Sequence, residues 1–319
     1  MNAAARNQKT RRAIRQWIGA FGVSVLALYL TLHLVGSPLR IPSTDLNSGL
    51  KKGDVVWVNK LRAGSPLPYS LVSVSYLFSA DFMPFKYRPL FSPTLERYDQ
   101  VCYYLPGPDT LMPGHRLTAV ARLIGLPGDT VKIHHGKVFV NGVLLPTRGY
   151  EIFRYEATIS DSVDIKHLMK NYNLHEIFRC QATSVETAID FSATESAALE
   201  LAGDLQTTRL SRKIETTPSP RVFPNGFEDQ NADFYGPVTV PSKGDSLFEA
   251  ENTYATSIRE TYELRAEKLF GASKGTLTFN YDYYFVLVDY RERGNDSRFY
   301  GSIPSYLISG SISFKLASR

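Results

Sequence analysis

Cysteine is nearly absent from this chain of 319 residues: there are two, Cys102 and Cys180. They form no C-x-x-C pair, so a zinc site or a dithiol redox centre has no support. Two buried free thiols are the simpler expectation, with one disulfide as the alternative. A large charge excess is missing too. The net charge is +5, and part of it lies in Arg6, Lys9, Arg11, Arg12 and Arg15, so the chain lacks the basic face that nucleic-acid binding needs. Internal repeats and low-complexity tracts are absent. With 43% hydrophobic and 21% charged residues, the composition is that of a globular chain.

Only one long apolar run is present. Trp17 to Val35 contains no Asp, Glu, Lys or Arg, and its length is close to the ~20 residues a helix needs to cross a bilayer. Basic residues crowd its N-terminal side, which places residues 1–15 in the cytoplasm, a transmembrane helix over 16–36, and the rest of the chain outside. A cleaved secretory signal is the competing reading. The run is longer than a usual signal core and no small-x-small site follows it, so an uncleaved anchor is expected. The expected location is the inner (plasma) membrane, single-pass, with the bulk of the chain periplasmic and membrane lipid as a neighbour.

Glycine (22), proline (18) and aromatic residues (12%) are plentiful, which predicts a β-rich chain with many turns. Strands are expected over 53–61, 97–106, 283–289 and 310–316. Two more are expected within 119–145, closed by the hairpin dipeptide Asn141-Gly142. The proline-punctuated apolar stretch 66–95 reads either as a core hairpin or as a rim dipping into lipid through Tyr76, Phe78, Phe82 and Phe85. From Pro146 to Gly275 the character turns polar, with helical patches at Ile165–Asn171, Glu186–Leu205 and Tyr254–Leu269 and a proline-rich link at Thr216–Gly226. The expected plan is a β core of 37–145 and 276–319 with a second region, 146–275, inserted into it.

Four ordered blocks carry a family resemblance. The first is Ile41-Pro42-Ser43-Thr44-Asp45-Leu46-Asn47-Ser48-Gly49-Leu50-Lys51-Lys52-Gly53-Asp54, directly after the apolar run. The second is Arg97-Tyr98-Asp99-Gln100-Val101. The third runs from Arg122-Leu123-Ile124-Gly125-Leu126-Pro127-Gly128-Asp129 to Val138-Phe139-Val140-Asn141-Gly142. The fourth is Asp289-Tyr290-Arg291-Glu292-Arg293-Gly294-Asn295-Asp296-Ser297-Arg298-Phe299-Tyr300-Gly301. In this order, behind an N-terminal anchor, they resemble the bacterial type I signal peptidases, in particular members with a long insertion between the last two blocks. The resemblance implies a mainly β fold, an antiparallel sheet or barrel core, with an α+β insertion and one transmembrane helix.

The chemistry implied by that family is a serine hydroxyl attacking the scissile carbonyl while a neutral lysine takes its proton. Here the nucleophile position holds Asp45, the base position Ala121, and the position of a second serine near the base Gly294. A methyl group accepts no proton, and a carboxylate at Asp45 opposes a developing oxyanion. The resemblance also implies roles for residues that remain. Ser43 matches an oxyanion-binding serine. Ile41, Leu46, Leu50 and Val120 match a cleft for small side chains, with ordinary core packing as the alternative. Arg122 and Asp296 match a structural ion pair, with Arg298 beside it.

Other catalysts have less to recommend them. Ser43 and Ser48 have no visible base, and a carboxylate pair of Asp45 with Asp289 has nothing to fix its spacing. His134 and His135 adjoin in a strand and are expected on opposite faces, a poor metal pair. Asn295-Asp296-Ser297 matches a glycosylation sequon by coincidence with the fourth block. No cofactor or metal is expected.

The reading that follows is a non-catalytic signal peptidase relative that binds an extended peptide. It would serve secretion or signal-peptide processing, with exported preproteins, signal peptides, an active peptidase or the secretion machinery as partners and no nucleic acid. The alternatives are an active endopeptidase with rearranged residues and a structural subunit of a membrane complex that makes its contacts through the insertion.

Overall fold

An Ala- and Leu-rich run without proline forms helix α1, Ala3–Leu30, which ends in a single π-turn, Thr31–Val35. The segment Arg11–Val35 has mean hydropathy 2.0, and its most apolar window packs against nothing else in the protein. At 1.5 Å per residue it is about 37 Å long, enough to cross the ~30 Å hydrocarbon layer of a bilayer. The computed structural model describes residues 3–42, 50–65, 70–72, 82–84, 89–106, 116–159, 165–183, 186–205, 207–224, 229–246, 253–263, 278–294 and 296–318. Tyr76, Phe78 and Phe85 of the expected apolar rim lie outside them.

The helix leads straight into the sheet. Its last carbonyls have no intrahelical partners and carry the negative end of the helix dipole. Lys60 Nζ donates to Leu32 O at 2.7 Å, Ser65 Oγ to Leu34 O at 2.6 Å and Lys60 N to Val35 O at 2.9 Å. Gly36 then opens the first strand. A Cβ there would lie 2.5 Å from Val58 O and against the Trp57 indole, so the close approach of the two chains requires glycine.

The strands are β1 (Gly36–Arg40), β2 (Val55–Asn59), β3 (Ser70–Val72), β4 (Phe82–Pro84), β5 (Gln100–Tyr104), β6 (Thr118–Gly125), β7 (Thr130–His134), β8 (Lys137–Val140), β9 (Val143–Leu144), β10 (Ile152–Ile159), β11 (Glu176–Ala182), β12 (Thr187–Thr194), β13 (Thr207–Arg212), β14 (Tyr235–Thr239), β15 (Tyr283–Leu287), β16 (Ile303–Pro304) and β17 (Ile308–Ala317). All pairings between the described strands are antiparallel. The largest sheet has the order β1-β2-β17-β5-β6-β15-β16, and a second runs β14-β7-β8-β9. The main apolar core joins these two sheets, through Val101, Ala121, Leu123, Phe285 and Leu287 of the first and Val131, Val138, Tyr235 and Val238 of the second. As expected, Asn141 and Gly142 both take positive φ (52° and 78°) in the tight turn between β8 and β9.

The insertion builds a sheet of its own, order β11-β12-β10-β13. In chain order it runs β10, α2 (Ile165–Asn171), β11, β12, α3 (Glu195–Asp204), β13. That is a split βαβ unit. Odd-numbered residues of β10 and β12 (Phe153, Tyr155, Ala157, Ile189, Phe191, Ala193) face α2 and α3 and form a separate core with Leu168, Ala198 and Leu201. Even-numbered residues form the other face. This sheet and its core occupy 152–212 only. The chain beyond returns to the main core: β14 pairs with β7, and Val222, Tyr254, Ile258 and Tyr262 pack there.

Two expected helices are corrected. Within Glu186–Leu205 the first half is strand β12, and the helix starts only after Thr194, whose hydroxyl caps Ala197 N. The helix expected over Tyr254–Leu269 is a short one, Thr253–Ile258, continued by a π-turn to Glu263; residues 264–269 lie outside the described ones.

Candidate functional site

The described ends of the first block are tied to each other. Ile41 N donates to Asp54 O at 2.8 Å, and Gly53 N returns a bond to Ile41 O at 3.0 Å. Asp54 is buried, and its carboxylate accepts from Lys51 N (2.8 Å) and Lys315 Nζ (2.6 Å). Ser43, Asp45, Leu46 and Ser48 lie between these anchors, outside the described residues. Of the four residues expected to line a cleft, three come together. Ile41 and Val120 are buried in one small cluster with Val56, Val58 and Cys102, and Leu50 packs half-buried against it.

Ala121 does not belong to that cluster. Side chains alternate along β6, so Val120 and Ala121 point to opposite faces. Ala121 is fully buried in the main core, opposite Val101 of β5. The residue expected at the base position is therefore a methyl group inside an apolar core.

The second and third blocks are braced together. Arg97 donates to Asp129 at 3.1 Å and to Ile124 O, while Asp129 also accepts from Leu126 N and Asn141 Nδ2, both at 2.7 Å. Tyr98 holds φ 75°, a left-handed conformation that favours glycine, and its ring stacks under the Arg148 guanidinium at 4.4 Å.

The fourth block corrects the expected ion pair. Arg122 does not meet Asp296. It grips Asp289 with two bonds, Nε to Oδ1 at 2.9 Å and Nη2 to Oδ2 at 2.8 Å, and Tyr150 lies 3.6 Å over the guanidinium. Burial acts to lower the Arg122 pKa, and the Asp289 carboxylate outweighs it and raises it. Asp296 is held instead by Arg298, at 3.0 and 2.9 Å, and both side chains are buried. Asp296 also caps the turn of helix Ser297–Tyr300 through Arg298 N, and accepts from Val288 N at 3.2 Å. Both carboxylate oxygens of Asp289 thus accept from Arg122.

Gly294 has no space for a side chain. A Cβ there would stand 2.4 Å from the Phe299 ring. The residues between Asp289 and Gly294 turn toward the inserted sheet. Ile152 N donates to Asp289 O at 2.8 Å and Arg291 N to Ile152 O at 3.0 Å, a parallel bridge that ties β10 to the block. Tyr290 Oη meets Ser192 Oγ at 2.5 Å and donates to Glu176 at 2.8 Å; Arg291 pairs with Glu151, Glu292 with Arg154 at 3.8 Å and Arg293 with Glu176 at 3.4 Å. The block is a ledge on which the insertion sits.

A family model described as "Signal peptidase, peptidase S26" matches residues 14–188, more than half of the chain. The chain belongs to that signal peptidase family. The match covers the apolar helix, the first three blocks and the insertion as far as β12; the fourth block lies beyond it. Among similar proteins is the signal peptidase I of Rickettsia typhi (strain ATCC VR-144 / Wilmington), 24% identical over 135 residues, which are 42% of this chain and 46% of that protein. The signal peptidase I of Rickettsia felis (strain ATCC VR-1525 / URRWXCal2) is 23% identical over 159 residues, 47% of this chain and 55% of that one. This chain therefore spans about half the length of the curated relatives it matches. A crystal structure of a signal peptidase I from Enterococcus faecalis V583 aligns with 69% of this chain and 97% of its own, at 19% identity and a TM-score of 0.25. Membership of the signal peptidase family and the N-terminal apolar helix fit a membrane-anchored protein.

Sequence reasoning missed Lys60. It is the described lysine whose pKa is lowered, by burial first, and it sits close enough to the buried Cys102 thiol for each to feel the other's charge. Burial raises Cys102 strongly, so the thiol stays protonated and inert. The Lys60 ammonium is already used on Leu32 O. The signal in sequence was a lysine directly after the apolar strand β2, with its partner Leu32 O twenty-eight residues earlier. His134 and His135 also depart from expectation: His135 takes φ 51° in the turn after β7, which swings its ring to 4.5 Å from that of His134, both against Phe234. Among the described residues no group of three or more His, Cys, Asp or Glu is placed to hold a metal ion. Cys102 and Cys180 are free.

Proposed function

We propose that this chain is a membrane-anchored signal peptidase relative that binds an extended peptide without cleaving it, as an accessory factor in protein secretion or signal-peptide processing. Its substrates by descent are exported preproteins and their signal peptides. One observation carries the reading: Ala121, at the position the resemblance assigns to the general base, is a methyl group sealed in an apolar core and accepts no proton. Two further facts support it. Gly294 leaves no room for the serine of that position, and Asp289 is consumed by Arg122. The N-terminus is cytoplasmic in this reading and the β body lies on the far side of the membrane.

The test uses the full chain purified in detergent with a preprotein. Expected are no cleavage product over hours and crosslinking of the preprotein to a photoreactive residue placed at Leu46. Turnover that disappears in Asp45→Ala or Ser48→Ala would make the chain an endopeptidase with rearranged chemistry. A second reading, a structural subunit of a membrane complex, is favoured by the use of the fourth block as a ledge for the insertion. It predicts no crosslink at Leu46 and loss of complex formation when the ledge is disrupted.

A further inference from the structure

The face of the split βαβ sheet that α2 and α3 leave uncovered has three rows of side chains, read across β11, β12, β10 and β13. The first row, Glu176, Ser192 and Arg154 with Lys213 beyond, lies under the fourth block. The second is Arg179, Asp190, Glu156 and Ser211, and the third is Gln181, Ala188, Thr158 and Arg209. These two rows are bare and floor an open trough of about 240 Å³. At Lys213 the trough meets a second hollow of about 500 Å³, walled by Thr216, Thr217, Arg221, Glu292 and Phe299.

The charges in the trough do not balance. Its two carboxylates are already neutralised. Asp190 is held by Arg154 (2.6 Å) and Lys213 (3.0 Å), and Glu156 by Lys213 (2.8 Å). Arg179 and Arg209 are left over. Both are exposed, and among the described residues neither has a carboxylate within ion-pair distance; Arg179 bonds only to Gln181. They stand on the two edge strands, three strand spacings (about 14 Å) apart across the sheet and one row (about 7 Å) apart along it. The separation is roughly 16 Å in all, and the flexible side chains can span the excess over about 14 Å. A single small anion does not bridge that distance. An extended peptide does: its side chains at i and i+4 project on one face about 14 Å apart.

We infer that this face is a docking site for an extended acidic peptide segment of a partner protein, with carboxylates four residues apart engaging Arg179 and Arg209. The site lies on the insertion and does not depend on the cleft reading above. Thr158 on β10 lies between the two arginines, and Gln181 and Ser211 stand beside them on the edge strands, neutral groups that suit polar residues of the peptide.

The experiment uses the full chain in zwitterionic phosphatidylcholine nanodiscs and fluorescein-labelled ten-residue Gly/Ser peptides, read by fluorescence anisotropy. A peptide with two glutamates at i and i+4 is expected to bind at least tenfold more tightly than one with glutamates at i and i+1 or with none. Arg179→Glu/Arg209→Glu is expected to abolish that preference and to bind the corresponding two-lysine peptide instead. Both residues are exposed, and an unchanged circular dichroism melt confirms the fold. Equal affinity of wild type and variant for the acidic peptide overturns the inference, as does wild-type binding no better than to the neutral peptide. Selective loss of anionic phosphatidylglycerol vesicle binding in the variant, without peptide binding, assigns the face to lipid and also overturns it.

Discussion

Arg122 shows how much a single residue's partner matters. Its guanidinium and the Asp289 carboxylate are nearly sealed from water (8% and 2% exposed) and joined by two bonds. Removing one partner of such a pair leaves the other charged, buried and unpaired, which costs about 3–5 kcal/mol. Arg122→Met is expected to lower the denaturation midpoint accordingly. Arg122→Met/Asp289→Asn should recover much of the loss, and a double mutant as unstable as the sum of the singles would show that the bonds contribute little. At Gly294 the contest is steric. Gly294→Ser drives a Cβ into the Phe299 ring, and overpacking of this kind costs about 1–3 kcal/mol. Adding Phe299→Ala opens the space, so the two changes together are expected to destabilise less than their sum in urea unfolding. A serine at this position therefore requires a neighbour to change as well. Here the sequence was misleading in a specific way. The fourth block supplied two aspartates, Asp289 and Asp296, and an arginine, Arg298, and nothing in their order showed that Asp289 reaches Arg122 of the third block while Asp296 is used locally by Arg298.

At the scale of elements, legibility followed periodicity. Helix α1, the β8–β9 turn, β15 and β17 were readable because apolar runs and the Asn-Gly pair act locally. Strand β12 was hidden. Its alternation of Ile189, Phe191 and Ala193 against Ala188, Asp190 and Ser192 is a period of two, but it runs into the Ala- and Glu-rich α3, and the joined stretch reads as one helix until the Thr194 cap is noticed. The same alternation places Asp190 where it governs the acid stability of the inserted sheet. Burial acts to raise its pKa, and the bonds from Arg154 and Lys213 outweigh burial and lower it. The folded pKa is thus below the unfolded value of about 3.9, so its stabilisation is present above that pH and is lost as pH falls through the folded pKa. Amide exchange in β10 and β12 is expected to accelerate relative to β5 and β6 on going from pH 6 to pH 3. Asp190→Asn should weaken protection at pH 6 and reduce the acid-dependent part. An identical pH response in the variant would remove Asp190 from that role.

At the scale of the molecule, the N-terminal apolar helix runs directly into the β body. Three bonds from Lys60 and Ser65 close the helix end, and β1 starts at the next residue with Gly36 paired to Asn59. Burial lowers the Lys60 pKa, yet its ammonium caps a carbonyl at the negative end of the helix. Lys60→Met keeps the bulk and removes the donor. It is expected to broaden the distance distribution between spin labels on α1 and β17 and to destabilise the body by about 1–3 kcal/mol; an unchanged distribution would mean that β1 pairing alone fixes the angle. None of this junction was legible beforehand, because it depends on a side chain meeting main-chain atoms twenty-eight positions earlier.

The path of the chain into and out of the inserted sheet has one more consequence. Lys213 N bonds to Arg154 O at 2.8 Å, and β10 and β13 are adjacent and antiparallel. Entry and exit are therefore one strand spacing apart, and a short turn from 151 to 214 closes the gap with little loop entropy. Residues 152–212 leave and rejoin the main body at neighbouring points, so excising them would rethread no other described strand. What such an excision exposes is the Tyr290–Arg293 ledge, whose polar side chains are already suited to water.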